Sequence, residues 1–178
     1  MGGRLRCDDD DGRATFTVEL PLAPAVGQPH VTAPVDDAAP LRFLVVDDNR
    51  LNVLVAVKLL ARLSPGAVID TAPDGAAALA RVQAAPYHLI LMDMQMPVMD
   101  GEAATREIRA LADPARAAIP IVAMTANTDS ADLQRCLDAG MNQTLAKPVT
   151  ALSLRQIVRA HLGRGAISSD KWPRVPAT

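Results

Sequence analysis

The chain has 178 residues, 49% of them apolar, with 18 basic and 20 acidic side chains. That length suits one ordinary domain with tails, and a formal charge of −2 offers no basic footprint for direct nucleic-acid binding. No apolar run approaches the roughly 20 residues that span a bilayer, and "MGGRLRCDDDD" lacks an apolar signal core. A cytoplasmic segment without membrane contact is the expectation. Aromatic residues make up 2% of the chain, so its core must be built from Ala, Val, Leu, Ile and Met. Cys7 and Cys136 lack CxxC spacing and read as two reduced thiols.

Residues 1–20 contain "RATFTVELPL", whose alternation from Ala14 to Leu20 predicts a strand. "GGRLRC" is its candidate hairpin partner, across a turn at "DDDDG" (Asp8 to Gly12) that reads as solvated rather than as a Ca²⁺ loop. Residues 21–40 carry Pro21, Pro24, Pro29, Pro34 and Pro40 and read as an extended linker.

Residues 41–163 differ, with twelve acids balanced by twelve bases and apolar runs alternating with helical patterns. Strands are predicted over 42–48, 67–72, 89–93, 120–125 and 144–148. Helices are predicted near 50–63, 74–84, 101–112, 129–139 and 150–162. Leu51, Leu54, Val55 and Leu59 have the spacing of a core face, as do Leu154, Ile157 and Val158. Gly140 ends one helix and Thr150 can cap the next. The last residues, 164–178, read as a frayed tail, with Trp172 left open. Five strand–helix repeats predict an α/β fold, a doubly wound five-stranded parallel sheet with helices on both faces. In such sheets ligands bind at the carboxyl ends of the strands.

Those ends carry Asp47 and Asp48, Asp93, Thr125 and Lys147. Carboxylates converging at ~4 Å repel by on the order of 4 kcal/mol per pair at an effective dielectric near 20. Oxygen-only ligands favour Mg²⁺ over Zn²⁺. An aspartate can hold a phosphoryl group as an acyl phosphate, with lysine, cation and hydroxyl offsetting the developing charge. The Met92, Met94, Met96 and Met99 cluster reads as packing rather than a copper site.

"VVDDN", "LILMDMQMPVMDG", "IVAMTA" and "LAKP", in this order, resemble the receiver domain of two-component response regulators. The fold implied is flavodoxin-like, with strand order 2-1-3-4-5, an order that a chemotaxis protein of this family exemplifies. The resemblance implies that Asp93 is the phosphoacceptor and that Mg²⁺ is held by Asp48, Asp93, Asp47 through water, and the Met94 backbone carbonyl. It implies that Thr125 and Lys147 contact the phosphoryl group, with Ala126 and Gln95 beside it. Gln95 and Asn127 sit where family members tune dephosphorylation. Pro148 stands where the family usually has a cis Lys–Pro bond. Thr144 replaces the family's aromatic switch residue. The implied partner is a histidine kinase or histidine phosphotransfer protein, with a dimer through the fourth helix, fifth strand and fifth helix as one option.

"MGGRLRC…GRATFTVELPL" looks like the last hairpin of a histidine-kinase ATP-binding domain, which would make the chain part of a hybrid histidine kinase, one whose full length could be membrane-anchored. Nucleotide-binding boxes are absent, and His30, His88 and His161 have no partner acid in kinase context. The chain is therefore not expected to bind ATP or to phosphorylate itself on histidine. Rival readings are a haloacid-dehalogenase-like phosphatase, which would want a second Asp where Gln95 stands; a flavodoxin-like flavin mononucleotide binder, whose phosphate "DDNRLN" would repel; and a receiver that signals by protein contact alone.

Overall fold

A computed structural model describes the backbone of residues 4–10 and 13–19, and residues 40–126 and 129–163 in full. The Pro-rich segment apart from Pro40, the Asp11–Gly12 pair, Asn127 and the tail from 164 lie outside the described residues. Two units are distinguished, residues 1–31 and 32–178. In the first, β1 (Arg4–Asp10) pairs antiparallel with β2 (Arg13–Glu19), from Arg4 opposite Glu19 to Asp10 opposite Arg13. The strand thus runs through Asp8–Asp10, where the sequence suggested turn.

The second unit contains β3 (Arg42–Val46), α1 (Arg50–Leu63), β4 (Val68–Ala72), α2 (Gly75–Ala84), β5 (Leu89–Asp93), α3 (Gly101–Arg109), α4 (Pro114–Ala117), β6 (Ile121–Thr125), α5 (Ser130–Asp138), β7 (Gln143–Ala146) and α6 (Ala151–Leu162). All strands pair in parallel in the order β4-β3-β5-β6-β7. Counted along the domain, that is 2-1-3-4-5, as expected.

Continuous apolar strands bury both faces of this sheet. Alternate residues point to opposite sides. Leu44, Val46, Ile90, Met92, Ile121 and Ala123 meet Ala78 and Val82 of α2 and Ala104 and Ile108 of α3. Phe43, Val45, Leu89, Leu91, Val122 and Met124 meet Ala56, Leu60 and Leu63 of α1 and Leu154, Ile157 and Val158 of α6. Each helix starts on a side-chain cap: Asn49, Asp74, Asp100, Asp113, Asp129 and Thr150, the last in a capping box.

Three expectations are corrected. The core face of α1 is Ala56, Leu60 and Leu63, with Val57 and Leu59 packed beside them. Leu51, Leu54 and Val55 are instead 66%, 49% and 38% exposed. The helix is apolar on nearly every side, so its periodicity supports more than one stripe. The predicted 101–112 helix ends at Arg109, and α4 follows, started by the Asp113 cap and Pro114 at its first turn. The predicted strands over 42–48 and 144–148 end earlier, at Val46 and Ala146, so that Asp47, Asp48 and Lys147 stand just past the sheet.

On edge strand β4, Asp70 accepts from Arg42 Nε at 2.8 Å and from the Tyr87 hydroxyl at 2.9 Å. Burial alone would push the Asp70 carboxyl up, but those hydrogen bonds prevail and hold it low. Asp70→Asn should therefore cost about 1–3 kcal/mol at neutral pH. The difference from wild type in urea unfolding should be complete above the unfolded-state carboxylate pKa of about 3.9. It should disappear as pH falls through the lower folded-state value. Gly101 opens α3 against the end of β5, and a Cβ there would collide with the Asp93 carbonyl oxygen and sit 3.1 Å from Met92 Cγ. Gly101→Ala should lower unfolding free energy by about 1–3 kcal/mol, the usual cost of overpacking, read as a shifted urea midpoint.

Candidate functional site

Strands β3, β5, β6 and β7 deliver Asp47, Asp48, Asp93, Thr125 and Lys147 to one end of the sheet. Asp47, Asp93 and Thr125 are 2%, 5% and 7% exposed, while Asp48 is exposed. One carboxylate oxygen from each of Asp47, Asp48 and Asp93 lies within 4.8 Å of the other two. At that spacing each charged pair repels by about 3–4 kcal/mol at an effective dielectric near 20.

Lys147 Nζ is 2.8 Å from Asp47 Oδ2 and 2.8 Å from Asp93 Oδ1. It reaches them from beyond β7, where its amide donates to the Thr125 carbonyl at 2.8 Å and its bond to Pro148 is cis. Asp47 Oδ1 also accepts the Asn49 amide at 2.9 Å and the Asn52 side chain at 3.1 Å. Asp93 Oδ1 accepts the Gln95 amide at 3.4 Å. Among the described residues, Asp93 Oδ2 has no such partner, nor does Asp48. Burial pushes the Asp93 carboxyl up, Asp47 adds to this, and the Lys147 hydrogen bond only partly opposes it. Burial would lower the Lys147 ammonium pKa, but its bonds to Asp47 and Asp93 outweigh that and raise it.

One lysine against three carboxylates leaves negative charge at the site. The donors are all oxygens and all within reach of a single point, so the residues fit a hard divalent cation. They do not serve as helix caps, because Asn49 caps α1 and Asp100 caps α3.

These groups open into a cleft of about 720 Å³. Ala126, Met94 and Gln95, expected at the site, line it. Thr144 does not; it lies half-buried within β7 opposite Ala123. The Met94 carbonyl accepts the Gly101 amide at 3.2 Å. Sequence reasoning missed Asn52, one turn into α1, and the far wall of Glu102, Asp132, Arg135 and Cys136. The spacing Asn49-x-x-Asn52 was a usable signal for Asn52. Nothing local marked the far wall, because α3 and α5 meet only in three dimensions.

Comparison with known proteins agrees with this geometry. The response regulator receiver domain model matches residues 43–159. The sensor protein GacS of Pseudomonas syringae pv. syringae is 38% identical over 138 residues, which is 77% of this chain but 15% of that protein. The chain thus spans a small part of the long sensor kinases it matches. The crystal structure of the receiver domain of sensor histidine kinase PA1611 from Pseudomonas aeruginosa PAO1 holds a magnesium ion in its active-site cleft. It is 40% identical, with a TM-score of 0.63, covering 71% of this chain and 100% of that one. The receiver domain of Ssk1 from Saccharomyces cerevisiae, crystallised with the histidine phosphotransfer protein Ypd1, is 27% identical with a TM-score of 0.65, covering 74% of this chain and 94% of that one. Four strand ends that gather three acids, a threonine and a lysine, in a chain matched over most of its length, lead to one conclusion: it belongs to the response regulator receiver domain family, the phosphoacceptor modules of two-component phosphorelays.

Proposed function

We propose that Asp93 is the phosphoacceptor and that the donor is a phosphohistidine. The observation that carries this is the asymmetry of its carboxylate: Oδ1 is held by Lys147 and the Gln95 amide, while Oδ2 has no partner among the described residues. Oδ2 attacks phosphorus, a P–O bond forms, the P–N bond breaks and the imidazole leaves with the bond's electrons. Lys147 and the Thr125 hydroxyl then bind phosphoryl oxygens, with Ala126 and Gln95 at the rim.

Asp47, Asp48 and Asp93 would hold Mg²⁺, Asp47 through water. A bound divalent cation neutralises these acids and the incoming phosphoryl oxygens. Of the backbone carbonyls after Asp93, that of Met94 already accepts from Gly101 and keeps one lone pair for an ion. The Gln95 carbonyl has no backbone partner among the described residues, which makes it the freer donor.

The exposed stripe Leu51, Leu54 and Val55 follows Asn49 and flanks Asn52, both of which line the cleft, and Val98, 88% exposed and at φ 68°, follows the cleft-lining Pro97. This apolar collar around an acidic pocket suits a partner that presents phosphohistidine from an apolar helical face, a histidine kinase or a histidine phosphotransfer protein. The antiparallel hairpin of β1 and β2 supports reading residues 1–20 as the end of a kinase ATP-binding domain, 21–40 as linker, 41–163 as receiver and 164–178 as tail, in a hybrid histidine kinase. No helix among the described residues is long and apolar enough to cross a membrane. Thr144, set away from the cleft, means that any output through the α5–β7–α6 face, including dimerisation, runs without an aromatic switch.

Labelling by acetyl phosphate with Mg²⁺ should be abolished in Asp93→Asn, and a variant that still took up label would reject Asp93 as acceptor. Leu51→Glu combined with Leu54→Glu should slow transfer from a phosphorylated histidine phosphotransfer protein by about tenfold or more, the scale of losing one interface anchor. Acetyl phosphate labelling should stay unchanged; equal loss in both assays would argue against the collar.

A further inference from the structure

Helix α5 is lightly anchored. It buries one side chain, Cys136, whereas α3, also nine residues long, buries Gly101, Ala104, Thr105 and Ile108. Cys136 Sγ lies 3.6 Å from Met94 Sδ, and the tie from α5 to α3 is ionic: Arg135 Nη1 lies 3.6 Å from Glu102 Oε1. Glu102 also holds Arg106 at 3.3 Å, and Arg135 pairs with Asp132 on its own helix. The two ends of this tie differ in freedom. Glu102 follows Gly101, which is pressed against the Asp93 backbone, so the head of α3 is fixed. Arg135 is 60% exposed on a helix that otherwise rests on Cys136 and on its packing against β7. Both side chains line the cleft that contains Asp93, Thr125 and Lys147.

We propose that the Glu102–Arg135 pair is a latch, closed when Asp93 is bare and opened when Asp93 carries a phosphoryl group. The inference rests on the receiver reading above and adds its regulation. A phosphoryl group brings about −1.5 to −2 charges at pH 7 into the shared cleft. An exposed pair such as Glu102–Arg135 is worth only a few-fold in an equilibrium constant. A dianion therefore competes for Arg135 on favourable terms, and Arg135 can leave Glu102 because its helix is free to follow. The displaced element is α5, which begins five residues after Thr125. Coupling of this kind is reciprocal: whatever phosphate does to the latch, the latch does to phosphate.

The test uses beryllofluoride with Mg²⁺ as phosphoryl mimic on the full chain, with affinity measured for wild type, Glu102→Gln, Arg135→Gln and the double variant. Glu102→Gln should bind the mimic about threefold more tightly, because Arg135 is then held only by Asp132 of its own helix. That gain should vanish in the Arg135→Gln background. Hydrogen exchange of the α5 amides should quicken when the mimic binds wild type, and should be fast in Glu102→Gln without it. An equal gain from Glu102→Gln in both backgrounds would reduce the effect to loss of a nearby negative charge and overturn the latch, as would no gain at all. Wild type binding the mimic no better than Asp93→Asn would overturn the receiver reading and the latch together.

Discussion

Three carboxylates crowd one end of the sheet around a single ammonium group. Left alone, Asp47, Asp48 and Asp93 would force the strand ends apart; Lys147 spans Asp47 and Asp93 with two contacts of 2.8 Å and holds the ends of β3, β5 and β7 together. The remaining negative charge fits the cleft to a divalent cation, and under the proposed function the same lysine meets a phosphoryl group on Asp93. Structure and reactivity thus draw on one ion cluster. Its members compete: burial raises the Asp93 carboxyl while Lys147 holds it down.

The cluster is only as well defined as the backbone beneath it. The three central strands β3, β5 and β6 are buried on both faces, so none of them can shift register by one residue without exchanging its two apolar sets. Gly101 lets α3 approach the Asp93 carbonyl closely, and the Asn49 and Asp100 caps start helices directly beside the acids. Arg109, from the far end of α3, donates to the carbonyls of Gly140, Ala117 and Ile119 and to Asn142. That arginine gathers the loops on the opposite side of the domain from the chemistry, and no sequence pattern announced it.

What could be read from the sequence follows from how local each signal is. Runs such as Phe43–Val46 and Leu89–Met92, alternating with helical patterns, fit doubly buried strands, so the sheet and its strand ends were legible, and with them the convergence of Asp47, Asp48, Asp93, Thr125 and Lys147. The stripe on α1 was misread because Leu51 to Leu63 is apolar on most sides, and only packing against α6 and the sheet selects Ala56, Leu60 and Leu63. Helix α4 spans four residues, too few for any periodicity to register. Glu102 and Arg135 gain their places from a contact between α3 and α5, and the local sequence carries no trace of it.

The acids stand at the carboxyl ends of the strands, while the chain enters at Arg42, at the amino end of β3, about 17 Å away for five extended residues. Helix α6 leaves β7 and runs back for its twelve residues, and His161 near its end lies 3.3 Å from Gln143 at the start of β7. Entry and exit therefore share the rim remote from the pocket. A unit wired this way keeps its two points of attachment at one rim and its acidic cleft at the other.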